Sequence, residues 1–334
     1  MRGNNRSILL VVLGAGLLLM SSCASPTPTP EPEPTSTPVP TNTPEPAKPS
    51  EPELFMKLTG DDKPFDTPYG VALAPDGSFY VSDSGNNRFL KFDDAGNLLA
   101  VWDQSGSGEG ELKSMGFGGL AVDAEGNVFV VDNGNFRIQK FDNGGNFLAA
   151  WGSEGTEDGQ FVRAIGITVD GEGNVYVTDD GNSYVQKFDN DGNFLMKFGG
   201  QGKGDGQFSH ATGIAVDGQG NIFVADYNNQ RVQKFDGQGA FITAWTMASD
   251  LNATGTPECI AVDTQGRVYI TDYQFGRVEI FSNDGEQLLV FGSHGLEDGQ
   301  FRKPTGIAID AQGNVYVVSQ MNNNLQVFEL PAFE

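Results

Sequence analysis

One repeated unit constrains the fold of this chain more than any other feature of its sequence. The core of the unit reads Gly-Ile-Ala-Val-Asp, two variable residues, and Gly-Asn-Val-Tyr-Val. The first residue of this core, which we call the anchor, recurs with spacings of 49, 47, 47, 46 and 47 residues. The anchors are Gly70, Gly119, Gly166, Gly213, Cys259 and Gly306. A regular period of this length is typical of propeller blades and of solenoids.

Each unit contains short apolar runs separated by Gly, Asn and Asp and shows no helical period, which excludes a solenoid of helices. In the third unit these runs predict four strands, at Gly166–Asp170, Asn174–Thr178, Tyr184–Phe188 and Asn193–Phe198. Four antiparallel strands form one blade, and six blades can close into a ring. We therefore predict an all-β fold, a six-bladed β-propeller of four-stranded antiparallel blades.

The two ends of the repeat region predict how the ring closes. The sixth unit stops after its third strand, Leu325–Phe328, whereas Leu54–Leu58 precedes the first unit and matches the fourth-strand run Phe194–Phe198. The N-terminal strand should therefore complete the last blade, because this pairing removes two exposed sheet edges.

Several segments resemble a known repeat family. They are Pro304–Asp310 with Gly313–Val317, and Ala225-Asp226 followed by Asn229, Arg231–Gln233 and Phe235. All of them resemble the NHL repeat, and the resemblance covers essentially all of Leu54–Glu334. It implies a six-bladed propeller over residues 54–334. It leaves the function open, because the family includes ligase targeting domains, RNA binders, bacterial sensor domains and a few lyases.

The first residues are typical of an export signal. Arg2 and Arg6 precede the apolar run Ile8–Met20, which is too short to span a membrane comfortably and is followed by small residues. Leu19–Cys23 resembles a bacterial lipobox, which implies removal of residues 1–22 and lipidation of Cys23. An ordinary secretory peptide with an incidental cysteine is the alternative, and either signal exports the chain from the cytoplasm.

Residues 23–53 consist mainly of Pro, Thr, Ser and Glu, with almost no apolar side chains. Proline at nearly every second position fixes φ and removes hydrogen-bond donors, so we predict a disordered, extended stalk. Whether its Thr and Ser residues are glycosylated is left open. The expected location is the bacterial cell envelope, lipid-anchored at Cys23 on the extracytoplasmic side of the membrane, or secreted.

The formal net charge of −24, with only 20 Lys and Arg, argues against some classes of partner. Binding to nucleic acid needs clustered positive charge, so no nucleic-acid partner is expected. Direct adhesion to anionic lipid is disfavoured for the same reason. The acidity favours solubility instead.

Strand polarity divides the loops between two faces. The turns between first and second strands and between third and fourth strands share one face, which we call the tight-turn face. The second–third loops and the links between blades share the opposite face, which we call the link face. The tight turns barely differ between units, and Asp189–Asn193 among them is interpreted as a turn because it lacks the spacing and terminal Glu of a calcium loop.

The link face is where the units differ from one another. Loops on a rigid scaffold usually carry function, although simple drift of loop sequences is the alternative. We therefore expect a binding surface on this face. Its candidate residues are Arg163, His210, Tyr227, Glu258, Tyr273 and Lys303.

Other conspicuous residues repeat with the blades and are interpreted as structural. The series Asp-x-x-Asn-x-Arg, as in Asp83, Asn86 and Arg88, recurs in most units and is typical of a clamp on the loop backbone. The tryptophans share one fourth-strand position, and Cys259 is expected to be a buried thiol. No catalytic residue and no metal ligand are assigned.

Enzymes that resemble this architecture supply an alternative function. NHL-type lyases use three His residues, whereas this chain has two, His210 and His294. Propeller lactonases use Glu, Asn and Asp, and streptogramin lyases use a His with a metal and an acid, which His210 and Glu258 could mimic. We predict a tethered binding module for a protein, peptide or small ligand, with no cofactor. The alternative is a metal-dependent lyase or hydrolase at the channel mouth, and a divalent cation in the central channel is left open.

Overall fold

The computed structural model describes residues 51–247, 249–250, 253–331 and 333. The predicted signal peptide of residues 1–22, the lipidation site Cys23 and the stalk up to residue 50 lie outside this range and stay predictions. Within the described part of the chain, no helix is long and apolar enough to cross a membrane.

Six four-stranded antiparallel sheets form the blades, which confirms the predicted fold class. The strands of blades 1 to 3 are Pro68–Leu73, Phe79–Asp83, Arg88–Phe92 and Leu98–Trp102; Leu120–Val122, Val128–Asp132, Arg137–Phe141 and Phe147–Trp151; and Ala164–Val169, Val175–Asp179, Tyr184–Phe188 and Phe194–Gly199. Those of blades 4 to 6 are Ala211–Val216, Ile222–Asp226, Arg231–Phe235 and Phe241–Thr246; Pro257–Val262, Val268–Asp272, Arg277–Phe281 and Gln287–Phe291; and Pro304–Ile309, Val315–Ser319, Asn324–Glu329 and Glu53–Leu58.

Short elements lie between these strands on the link face. Ser249–Asp250 pairs with Ala253–Thr254, and Ser293–His294 pairs in parallel with Gln300–Phe301. One-turn 3-10 helices follow the second strand in blades 1, 2 and 4, at Ser84–Asn86, Asn133–Asn135 and Tyr227–Asn229.

Burial follows the position of each strand in its blade. Second strands such as Val175–Asp179 are buried along their whole length, because other strands flank them and neighbouring blades cover both faces. Fourth strands such as Phe194–Gly199 alternate between half-buried and exposed residues, because they form the outer edge of the ring. The first strands contact those of neighbouring blades around a central channel.

The N-terminal strand closes the ring as predicted. Glu53–Leu58 pairs antiparallel with Asn324–Glu329, so that Leu58 lies opposite Leu325. Met56 and Leu58 pack on the buried core shared by blades 6 and 1. The last blade is therefore completed by residues from both ends of the propeller.

The tryptophans are packing residues, as predicted. Trp151 lies against Gly192 in the third–fourth turn of the next blade, and Trp245 lies against Gly285 in the same way. A Cβ at Gly285 would lie 2.8 Å from the Trp245 ring, and the positive φ of this residue also favours glycine.

The Asp-x-x-Asn-x-Arg series forms the predicted clamp. Asp83 accepts hydrogen bonds from the backbone N–H of Asp66 at 2.7 Å, from Asn86 Nδ2 at 2.7 Å and from Arg88 Nε at 2.7 Å. Asp132 and Asp226 make equivalent contacts in blades 2 and 4. Each of these carboxylates therefore fixes a blade-to-blade link to its own blade.

The tight-turn face is held by its own side chains. Asp189 Oδ1 accepts hydrogen bonds from the backbone N–H groups of Asp191 at 3.0 Å and Asn193 at 2.8 Å, which confirms the interpretation of this segment as a turn. Between blades 2 and 3, Lys140 donates to Asn190, whose Nδ2 donates to Asp123 at 3.3 Å. These polar side chains therefore stabilise the fold.

Candidate functional site

The candidate site is the link-face end of the central channel, which we call the mouth. A cavity of about 230 Å³ on the channel axis lies towards the tight-turn face, because it is lined by the second halves of the first strands. All six first strands line this cavity, and Val71, Leu120, Ile167, Ile214, Ile260 and Ile307 are among the lining residues. The mouth lies at the other end of the first strands, where the residues before the anchors include Tyr69, His210, Glu258 and Lys303.

The backbone beside the mouth is left-handed in several blades. Three residues before the anchor, φ is 46° at Thr67, 56° at Gly116, 78° at His210 and 57° at Lys303. Glycine adopts this conformation without strain, as at Gly116, whereas other residues adopt it at a cost. His210 and Lys303 therefore present their side chains from strained backbone positions.

Five of the predicted residues form a continuous arc across blades 3 to 6. Arg163 Nη2 lies 3.4 Å from His210 Nδ1, and the His210 ring meets Tyr227 edge to face with a centroid separation of 5.1 Å. Tyr227 meets Tyr273 at 5.7 Å, and the Lys303 ammonium lies 5.1 Å from the centre of the Tyr273 ring. We call these five residues the arc.

Asp180 connects the first two members of the arc. Its carboxylate accepts a hydrogen bond from Arg163 and contacts His210 Nδ1, and its side chain is only 3% exposed. Because Nδ1 faces Asp180, the other ring nitrogen of His210 is directed away from this carboxylate. Burial lowers the pKa of His210, and the Glu258 carboxylate opposes this shift.

Glu258 and Tyr69 form a buried hydrogen-bonded pair under the mouth. The Tyr69 hydroxyl on blade 1 donates a hydrogen bond of 2.7 Å to Glu258 Oε1 on blade 5. Blade 6 lies between these two blades, so the hydrogen bond joins blades that are not neighbours. Both side chains are buried. Burial raises the pKa of Glu258 to about 7, although the Tyr69 hydrogen bond and His210 act in the opposite direction.

Two further residues belong to the same neighbourhood. Phe117 on the link before blade 2 meets Tyr69 edge to face at 5.7 Å and is 45% exposed, so it brings apolar surface to the mouth. Cys259 is half-buried rather than fully buried as expected, because its first strand lines the channel. Burial and the nearby Glu258 raise the pKa of its thiol, which disfavours the thiolate.

The structure thus brings together the positions predicted from the sequence. Three neighbouring residues, Asp180, Tyr69 and Phe117, were not predicted. Asp180 and Tyr69 occupy the same repeat positions as Tyr227 and Glu258, so the divergence between repeats contained a signal for both. Phe117 follows a left-handed glycine in a link of different length, and no pattern indicated it. Whether the six predicted residues bind a ligand stays a prediction.

The described residues give little support to a metal centre. No group of three or more His, Cys, Asp or Glu side chains among them is arranged to hold a metal ion. His210 Nδ1 already faces Asp180, and Glu258 Oε1 accepts from Tyr69. The arrangement can hold ligand groups by hydrogen bonds, and the pKa of Glu258, about 7, lets this carboxyl give or take a proton near neutral pH.

A family model for the NHL repeat matches residues 65–92, 118–141 and 208–235. These segments lie in blades 1, 2 and 4. The chain carries NHL repeats. No curated protein matches the sequence.

Solved structures of other proteins share the propeller fold. A virginiamycin B lyase from Staphylococcus aureus is 13% identical and superposes with a TM-score of 0.58, and a gluconolactonase from Xanthomonas campestris is 18% identical with a TM-score of 0.61. This chain is covered to 84% in both, and the other chains to 100% and 95%. A chain of a nidogen/laminin complex is 18% identical, with a TM-score of 0.54 and coverages of 68% and 81%. At these identities the likeness shows the fold alone.

Proposed function

We propose that this NHL-repeat propeller is a binding module of the bacterial cell envelope, tethered through Cys23, whose mouth binds a partner protein. The observation that carries the proposal is the arc. Side chains from four blades converge on one mouth, at repeat positions where the structural clamp does not fix the residue type. The ring brings these positions together in every blade, but the contacts within the arc, such as those of Asp180 with Arg163 and His210, depend on the residue types that stand there.

Backbone strain supports the same proposal. Glycine fills the left-handed position in blade 2, yet His210 and Lys303 stand there in blades 4 and 6. A left-handed non-glycine residue costs about 1–3 kcal/mol and is concentrated at ligand-binding sites. The side chain of Lys303 is exposed and touches the Tyr273 ring, so the fold itself gains little from it.

The exposed apolar side chains around the arc, which we call the rim, favour a protein partner. Phe117, Val162 and Met321 are 45%, 40% and 43% exposed on the link face, so apolar surface surrounds the polar arc. Tyrosine and arginine, which the arc also offers, are enriched among residues that dominate protein–protein binding energy.

A capture experiment with matched variants tests the proposal. The full chain should retain a partner from envelope extract, and the triple variant Arg163→Ala, His210→Ala, Lys303→Ala should lose it. The control Asp191→Ala, Gln219→Ala, Gln265→Ala changes exposed residues of the tight-turn face and should retain the partner. Unchanged capture by the first variant, with both variants melting like the parent chain, contradicts the proposal.

The tether is tested separately. Cells grown with radiolabelled palmitate should incorporate the label into the chain, and Cys23→Ser should abolish the labelling because it removes the acylated thiol. Equal labelling of both proteins contradicts lipidation at Cys23, and absence of label from both favours an ordinary secretory peptide.

A metal-dependent lyase or hydrolase remains the second candidate, and one observation favours chemistry at the mouth. His210 is oriented by Asp180 and lies within electrostatic reach of Glu258, whose pKa of about 7 suits a general acid. Stoichiometric metal in the purified protein supports this candidate. Metal-free protein whose melting temperature is unchanged by calcium, zinc or magnesium counts against it.

A further inference from the structure

We propose that the mouth recognises an acidic peptide segment of the partner, holding its carboxylates between Arg163 and Lys303 on opposite sides of the ring. This inference rests on the proposed function and adds the chemical class of the ligand. The first step is geometric. The first strands contact in the order of blades 1 to 6 and back to 1, so blades 3 and 6 face each other across the channel.

The second step is the sign of the charge. The chain has 44 Asp and Glu against 20 Lys and Arg. Two of the six residues directly before the first strands on the link face are basic, Arg163 and Lys303, and Arg302 lies beside Lys303. The acidic residues of the arc's neighbourhood, Asp180 and Glu258, are buried. The exposed charges of the arc are therefore positive, whereas its acidic neighbours are buried, and this favours an anionic group on the partner.

The two cations of the arc are available to a ligand. The Arg163 side chain is 50% exposed although it also donates to Asp180, and a guanidinium has further N–H groups to offer a carboxylate. Lys303 is exposed, and among the residues the structure describes its ammonium lies over Tyr273 and forms no ion pair. A carboxylate at each end of the arc therefore finds a donor.

The aromatic members of the arc favour a peptide over an acidic sugar. Sugar rings stack on open aromatic faces, but Lys303 covers one face of Tyr273. Tyr227 meets His210 at 78° and Tyr273 at 67°, so these rings present edges to one another. The exposed Phe117, Val162 and Met321 suit the apolar side chains of a peptide.

Glu258 makes this recognition dependent on pH. The Glu258 side chain is 5% exposed, and one of its oxygens accepts a hydrogen bond from Tyr69. The titratable groups that interact with it electrostatically are Tyr69, His210, Tyr227 and Cys259. Tyr273 interacts with Tyr69 in turn. The Glu258 pKa of about 7 leaves this carboxyl neutral at pH 6 and negative at pH 8. A carboxylate above it is therefore bound more weakly at pH 8.

Selection from a random peptide library displayed on phage tests the ligand class. The library is selected on the full chain and, in parallel, on the double variant Arg163→Ala, Lys303→Gly. We expect peptides enriched in Asp and Glu that bind the variant about tenfold or more weakly, because a charge-assisted hydrogen bond is lost at each end.

The outcomes separate the two proposals. Peptides that depend on Arg163 and Lys303 but show no acidic enrichment overturn the acidic class and leave the binding function standing. Peptides that bind the parent and the variant equally overturn both. Polygalacturonate, used as a competing anionic sugar, overturns the peptide assignment if it binds more tightly than the selected peptides.

Fluorescence anisotropy of a selected peptide tests the role of Glu258. Affinity should fall between pH 6 and pH 8 for the parent chain and stay constant over this range for Glu258→Gln, which cannot ionise. The same fall in the variant overturns the role of Glu258.

Discussion

At the level of single residues, the most informative position is the one three residues before each anchor. The link must turn there into the first strand, and four blades adopt a left-handed backbone to do so. The repeat period identifies this position from sequence. The strain does not follow from the sequence, because a threonine, a histidine or a lysine gives no sign of a positive φ until the turn is formed.

Replacing His210 or Lys303 with glycine should separate stability from binding. Each change relieves strain of about 1 kcal/mol or more, offset in part by the greater entropy of glycine in the unfolded chain. The free energy of unfolding should stay level or rise while binding is lost. Urea titration with tryptophan fluorescence measures the first quantity.

Thr256→Gly is the matched control, because Thr256 occupies the same repeat position without a positive φ and its hydroxyl bonds Gln274 at 3.0 Å. That variant should be less stable. Destabilisation of the His210 and Lys303 variants to the same extent as the control contradicts the account of strain.

Glu258 should give the fold a recognisable pH dependence. Its folded pKa is about 7, against an ordinary value of 4.5, so between these values the folded protein holds a proton that the unfolded chain releases. Stability from this group is therefore full below about pH 4.5 and is lost as pH rises to 7, on the order of 3 kcal/mol.

Thermal melts at pH 5 and pH 8 check this sign. Glu258→Gln should gain stability relative to the parent chain on going from pH 5 to pH 8. Tyr69→Phe is a useful companion, because it removes the hydrogen bond to Glu258 and leaves the carboxyl in place. Identical pH profiles for the parent chain and Glu258→Gln would show that this carboxyl is not perturbed.

At the level of elements, the strands were largely predictable because each has its own apolar run and turn signals. The boundaries were less so. The first strand of blade 3 begins at Ala164, before the predicted Gly166, because Ala164 pairs with Asp179 across a bulge before Ile167. The 3-10 turns after three second strands were not predicted, since Gly and Asn at these positions are equally typical of open loops.

The closing strand can be tested by its two faces. Met56 and Leu58 point to the core, whereas Phe55 is 50% exposed. The double variant Met56→Asp, Leu58→Asp buries charge at the seam of the ring and should lower stability by about 3 kcal/mol or more. Phe55→Asp in the same strand should leave the melting temperature nearly unchanged. Similar melts for both variants contradict closure by this strand.

Asp180 belongs to the candidate site, but its role could not be predicted from the sequence. The repeat alignment predicts which face each loop occupies, and it therefore predicted that the members of the arc lie on one face of the ring. The contact of Asp180 with both Arg163 and His210 depends on distances between side chains of blades 3 and 4. No period within a repeat encodes those distances, so this positioning residue emerged only from the structure.

At the level of the whole molecule, the two faces of the ring differ in how their side chains are partnered. The tight-turn face satisfies its Asp, Asn and Lys side chains internally, as in Lys140, Asn190 and Asp123. The link face carries the exposed apolar rim, the exposed cations Arg163 and Lys303, and the left-handed backbone positions such as His210. In the proposed function this face binds the partner, and Cys23 carries the proposed tether.

Site-specific photocrosslinking in cells tests the binding role proposed for the link face most directly. A benzoylphenylalanine in place of Phe117 or Met321 lies on the link face, and one in place of Asp191 or Gln219 lies on the tight-turn face. A discrete crosslinked partner is expected from the first pair alone, and the additional changes Arg163→Ala and Lys303→Ala should abolish it. Crosslinks from the tight-turn positions alone, or equal crosslinks from both faces, would contradict the proposed function.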